Sequence, residues 1–126
     1  MYSAARYREI QTETATKEQL LVMLLDAVMK NIRLGVAELE ASRRAEATAA
    51  LTKASDIVVE LHSTLDRAKA PELCEQLGEI YRFASLRLVS ASLRGDPALA
   101  LEAERALQPV VDAFKQAVAQ VTGGAR

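Results

Sequence analysis

The chain of 126 residues has no tryptophan, one cysteine, one histidine, three tyrosines and two phenylalanines. The lone Cys74 excludes an intramolecular disulfide and a cysteine-rich metal site, and it fits a reducing compartment. The lone His62 excludes metal centres built on paired histidines, including the di-iron centre of helical bundles, which needs Glu-x-x-His on two helices. There is no glycine-rich phosphate loop. Charge of one sign is also lacking: 16 Lys and Arg stand against 17 Asp and Glu, for a net charge of -1. No global field therefore points to nucleic acid or to an anionic membrane. Long apolar runs are missing too. The densest, Leu20 to Leu25, stops at Asp26, far short of the roughly 20 residues of a membrane helix. No targeting segment is recognisable, so a cytoplasmic location is the expectation. Neither an enzyme nor a metal or cofactor is expected from this inventory.

What the chain does have is aliphatic periodicity. Thr16 and Gln19 have the spacing of a capping box, in which each side chain serves a backbone donor of the other. Behind them Leu20, Leu24, Val28, Ile32, Val36 and Leu39 recur at helical spacing, predicting a first helix from about Lys17 to Ala41. Gly35 inside it costs about 1 kcal/mol against Ala, which suggests a closely approaching neighbour. Ser42 is a candidate cap for a second helix from about Ala45 to Lys69. Pro71 with Glu72 opens a third helix, which Gly95 ends. Asp96–Pro97 opens a fourth, running to Gly123–Gly124.

Short links between four helices force antiparallel neighbours, so the expected fold is all-α: an antiparallel up-down four-helix bundle. Pro109 removes a backbone donor inside the last helix, which is expected to be kinked or split near Arg105 to Pro109. One domain over residues 1–126 is expected, with 1–15 as a mobile N-terminal segment and 16–122 as the bundle. In that segment Tyr7 and Ile10 are isolated apolar points.

The helices carry more apolar residues than one core stripe needs. Phe83, Leu86, Val89 and Leu93 lie off the Leu77–Ile80–Ala84–Leu88 line, Val59 lies off that of the second helix, and Leu21 and Leu25 flank the first stripe. Taken together they favour a groove for a partner's amphipathic helix. His62 admits another reading, since a bundle with one exposed histidine can carry a phosphoryl group. Its run His62-Ser63-Thr64-Leu65-Asp66 lacks the Lys-Gly pair that makes room for a receiver. A bundle that merely dimerises through its apolar side is a third reading.

Five segments, in order, resemble the FliS family of flagellar secretion chaperones. Tyr7 and then Thr14-Ala15-Thr16-Lys17-Glu18-Gln19-Leu20 match the family's tyrosine tail and helix opening. Met23-Leu24-Leu25-Asp26-Ala27-Val28 is similar to its Met-Leu-Tyr-Asp-Gly-Ala run. Lys53-Ala54 through Ile57-Val58 to Leu61, then Ile80-Tyr81 with Arg87-Leu88, and finally Asp112-Ala113-Phe114-Lys115-Gln116 complete the set. Leu25 stands in place of the usual aromatic, Ala27 of glycine, Ser92 of asparagine and Phe114 of tryptophan.

The resemblance implies a cytoplasmic chaperone that binds the disordered C-terminal segment of flagellin, prevents premature polymerisation and aids secretion. The flagellar export gate is a further implied partner, with a monomer or weak homodimer as the state; nucleic acid and membrane insertion are not expected. Ile57, Leu61, Tyr81 and Leu88 are expected to line or support the cargo surface. Leu21 and Leu25 are candidates for its outward side, and Tyr7 and Ile10 for a removable lid over it.

Overall fold

A computed structural model describes residues 16–124, with side chains described to residue 120. Tyr7 and Ile10 lie outside the described residues. The chain forms α1 (Lys17–Glu40), α2 (Arg44–Ser63), α3 (Pro71–Arg94) and α4 (Pro97–Gly124), with no strand among the described residues. Packing runs round the ring, α1 on α2, α2 on α3, α3 on α4 and α4 back on α1, which is the expected four-helix bundle.

The ends of the helices follow from local chemistry. Thr16 Oγ1 accepts from the Gln19 N–H at 3.1 Å and Gln19 Oε1 from the Thr16 N–H at 3.0 Å, closing the capping box. At the other end of α3, Gly95 takes the left-handed conformation (φ 64°). A Cβ there would come within 2.6 Å of Arg44 Nη1. That guanidinium is occupied: Arg44 Nη2 donates to the carbonyls of Ser92 and Leu93, so the start of α2 caps the end of α3. Asp96 Oδ1 accepts from the Ala98 N–H at 3.0 Å and opens α4, as its position before Pro97 predicts.

Two expectations are corrected. α2 stops at Ser63 rather than near Lys69. Ser63 and Thr64 turn their hydroxyls onto the carbonyls of Glu60 and Leu61, and Asp66 Oδ1 accepts from Ala68 N–H in a local turn. These short polar side chains offer the backbone a non-helical alternative just before Pro71. Ser42 does not cap α2; it sits at φ 60° in the turn, and Arg43 holds the cap position without a side-chain bond. Of the two outcomes expected near Pro109, the split does not occur: α4 is one helix with Pro109 inside it. Pro109 is exposed, while Leu107, Val110 and Val111 on either side are buried, so packing of the inner face carries the helix across the missing bond.

The core is aliphatic and tight. Leu25, Val28 and Ile32 of α1 meet Leu51 and Val58 of α2, Leu88 of α3 and Leu107 of α4, all at zero exposure. Between them Ala47, Ala54, Ala84, Ala91, Ala100 and Ala103 are equally inaccessible. Gly35 belongs to this pattern, because an added Cβ would lie 2.5 Å from Leu51 Cδ2, so any larger residue would force Leu51 to shift. Ion pairs stitch the ring outside: Arg33–Glu104 at 2.9 Å and Lys115–Asp26 at 3.0 Å join α1 to α4, and Arg87–Glu102 at 3.0 Å joins α3 to α4. Each is exposed enough to contribute no more than about 1 kcal/mol.

Because Pro109 faces water and only its backbone is at fault, Pro109→Ala restores an N–H to the Arg105 carbonyl without disturbing the core. The substitution is expected to stabilise the fold by about 1–3 kcal/mol, the helix gain of about 3 being offset by the extra freedom of the unfolded chain. Denaturant unfolding of the two proteins checks it.

Candidate functional site: outward grooves beside α2

The buried line of α1 is Leu25, Val28, Met29, Ile32 and Val36, with Leu21 and Leu39 half-buried at its ends. Leu20 and Leu24 sit about a quarter turn away from it, toward α2. There they join Met23, Ala27 and Leu34 of α1 and Ile57 of α2 around a groove of about 620 Å³. Lys30, Asn31, Lys53, Asp56 and Glu60 supply its polar rim. Met23 is 42% and Leu34 48% exposed, large values for side chains of this type on a bundle.

This reverses the outward assignment on α1. Leu25, a candidate for the outer side, has zero exposure, and Leu21 packs on the core. Leu61 at 1%, Tyr81 at 2% and Leu88 at zero exposure are likewise core residues, so they can support a surface but not line it. Ile57 is the candidate that the fold delivers to the groove. Sequence reasoning missed Leu20, Met23, Leu24, Ala27 and Leu34 as groove residues. A signal was present, because Leu20, Met23, Ala27, Lys30 and Leu34 are spaced three, four, three and four, a second helical strip beside the core strip.

On the other flank of α2 a smaller cleft of about 290 Å³ lies between α2 and α3. Leu51 and Leu88 form its floor, Thr48, Thr52 and Ser55 one wall, and Val89 and Leu93 the other. Asp56 borders both grooves, so they adjoin across the ridge of α2. Exposed Val59, Leu86 and Leu93 extend the apolar surface on this side, whereas Phe83, with the Arg87 guanidinium 4.8 Å over its ring, lies toward α4. Leu73 is 53% exposed near the start of α3.

His62 lies at the far end of α2, half-buried, in a polar pocket of about 280 Å³ with Arg67, Cys74, Gly78 and Arg82. Its ring lies beside Gly78, where a Cβ would come 3.1 Å from Nε2, and 6.3 Å from the Tyr81 ring centroid at a 53° tilt. A phosphoryl acceptor needs a ring standing clear of its helix, and this one is packed against two neighbours. Among the described residues there is no cluster of three His, Cys, Asp or Glu that could hold a metal ion. Cys74 is buried, which keeps its thiol from ready access by solvent. No helix among the described residues is long and apolar enough to cross a membrane.

A rigid aliphatic bundle with shallow apolar grooves along its outer helices is a helical binding scaffold. The family profile described as "Flagellar protein FliS" matches residues 1–121. The chain is 33% identical over 112 residues to the flagellar secretion chaperone FliS of Bacillus subtilis (strain 168), covering 89% of this chain and 83% of that one. It is 31% identical over 127 residues to the chaperone of that name from Salmonella typhimurium (strain LT2), covering 92% of each chain. With that from Escherichia coli (strain K12) it shares 28% over 126 residues, covering 94% and 93%. The chain belongs to the FliS family of flagellar secretion chaperones.

Tyr81 provides a handle on the integrity of the scaffold. Burial raises its phenol pKa above the ordinary value of 10.0 by penalising the charged form. The neutral phenol is favoured on folding, so its contribution is complete below pH 10 and is lost as pH rises through the raised folded value. Stability is expected to fall more steeply above about pH 10 in the parent than in Tyr81→Phe, as denaturant melts across the alkaline range would show.

Proposed function

We propose that this chain binds the C-terminal segment of flagellin in the bacterial cytosol, prevents its premature polymerisation and delivers it to the flagellar export gate. The observation that carries the reading is the outward strip of α1, Leu20, Met23, Leu24, Ala27 and Leu34, lying open beside Ile57. An amphipathic helix laid in that groove places its apolar face on the strip and its charges against Lys30, Lys53, Asp56 and Glu60. The adjoining cleft between α2 and α3 gives the same cargo a second foothold across α2. The names of the relatives support a secretion chaperone.

A segment that folds only on the chaperone spends part of its contact energy on becoming ordered. Shallow grooves and an ordering cost together keep the complex reversible, which a cargo destined for export requires. In this reading Tyr7 and Ile10 act as a lid that occupies apolar surface until cargo displaces it. His62 takes no phosphoryl group and serves only to fill the space beside Gly78.

The test is titration of a flagellin C-terminal peptide into purified variants by calorimetry, with circular dichroism as the check on folding. Ile57→Glu and Met23→Glu are expected to weaken binding by at least about tenfold while leaving the melting curve close to that of the parent. Leu61→Glu, which places a charge in the core, should unfold the protein instead. Removing residues 1–10 should speed or tighten binding. Groove variants that are folded and bind like the parent would refute the site.

A further inference from the structure

Among the described residues Ser55 is the one buried polar side chain, at 7% exposure. It lines the cleft between α2 and α3, whose floor is the fully buried Leu51 and Leu88. Elsewhere Ser63, Thr64 and Ser85 each turn a hydroxyl onto the carbonyl three residues earlier, and Ser92 donates to Thr48 across the cleft at 3.2 Å. Ser55 makes no such bond among the described residues. At its other small inward positions α2 uses alanine: Ala47, Ala50 and Ala54, each at 5% exposure or less. Alanine at 55 would favour the helix and would bury no hydroxyl without a partner. The hydroxyl therefore costs the fold something and serves nothing inside it.

We infer that Ser55 determines specificity in this cleft: its hydroxyl pairs with the side-chain amide of an Asn or Gln in the bound cargo segment. The inference rests on the reading of the cleft as a second foothold for the flagellin C-terminal segment. With a volume of about 290 Å³ the cleft lies at the lower edge of the roughly 300–1,000 Å³ of small-molecule sites. It suits side chains of a docked segment better than a free ligand.

The chemistry of the cleft selects the amide. A side chain that fills it expels water from Ser55, so the hydroxyl must be given a new partner. A purely apolar anchor leaves it unpaired. A carboxylate is repelled by Asp56, which borders the cleft. A cation finds that same carboxylate at the wet rim and has no reason to enter over the aliphatic floor. A neutral amide donates through its N–H and accepts through its carbonyl, and the hydroxyls of Ser55 and Thr52, three residues apart on α2, answer both. Thr48 and Ser92 bridge the cleft seven residues before Ser55, about 10.5 Å along α2 at 1.5 Å per residue. An amide held at Ser55 thus sets the register of the cargo along the groove.

The test is a double-mutant cycle on the full chain, read by calorimetry. The probe is a flagellin C-terminal peptide, together with versions in which each Asn in turn becomes Leu, each Gln becomes Met and every other residue becomes Ala. Ser55→Ala is expected to weaken binding of the parent peptide by about tenfold to a hundredfold. Its melting temperature should stay level or rise, because alanine suits the helix better. One amide substitution in the peptide should weaken binding to the parent chain by a similar factor and add little once Ser55 is alanine. A Ser55→Ala chain that binds every peptide as the parent does overturns the inference. So does coupling of Ser55 to a residue other than Asn or Gln, and so does a lowered melting temperature, since the hydroxyl would then serve the fold. If Ile57→Glu and Met23→Glu weaken binding while Ser55→Ala does not, this inference falls and the chaperone reading stands. A parent chain that binds no flagellin peptide removes both.

Discussion

Close approach between helices is the constraint on which the rest depends. Gly35 lets Leu51 of α2 press onto the backbone of α1, and inaccessible alanines on α2, α3 and α4 repeat that economy of volume around the ring. With so few aromatic side chains available, the core cannot be filled by bulk, so it is filled by bringing the helices together. Packing density near that of a molecular crystal then follows from Leu and Val interdigitating between the alanines. Helices drawn this close leave little depth between them on the outside. The grooves flanking α2 are accordingly shallow troughs suited to a chain laid along the surface, and ill suited to enclosing a small molecule.

The same close packing decides which leucines of α1 turn inward. Leu20, Leu21, Leu24 and Leu25 form two adjacent strips that are equivalent in side chain and in spacing. The tie is broken lower in the helix, where Val28, Met29, Ile32 and Val36 must face Leu51 and Val58, and that line extrapolates upward to Leu25 and Leu21. Rotating the helix by one residue, about 100°, would exchange core and groove. Periodicity alone cannot choose between the two strips. For this reason the bundle, its four helices and its antiparallel order were readable from the amino acids, while the outward assignment on α1 came out reversed.

Helix starts were more legible than helix ends for a related reason. Thr16 with Gln19, and Asp96 before Pro97, announce themselves because a cap is made by residues within one turn of each other. The end of α2 depends on competition. Residues Leu65 to Lys69 keep some helical pattern, and Leu65 still packs on the core, but Thr64, Asp66 and Pro71 together favour turns. Pro109 shows the opposite outcome. Its local cost is overridden because Leu107, Val110 and Val111 bury together on one side of α4.

Leu61, Tyr81 and Leu88 fall on the core side for a reason that bears on binding. A residue that is fully buried by its own bundle has no area left to give to a partner, so it can influence cargo only by holding the helix beneath it in place. The residues with area to give are those like Met23, Leu34 and Leu93, which the bundle leaves 42% to 76% uncovered. Their positions on the outer sides of α1 and α3 are what a scaffold with two apolar faces per helix must produce once one face is spent on the core. The rim charges Lys30, Lys53, Asp56 and Glu60 then keep the uncovered strip on α1 and α2 soluble, and they place on any helix that occupies the groove a demand for opposite charges at matching positions. Selectivity for a cargo in such a groove therefore rests less on the depth of a pocket than on the register between two patterned helices.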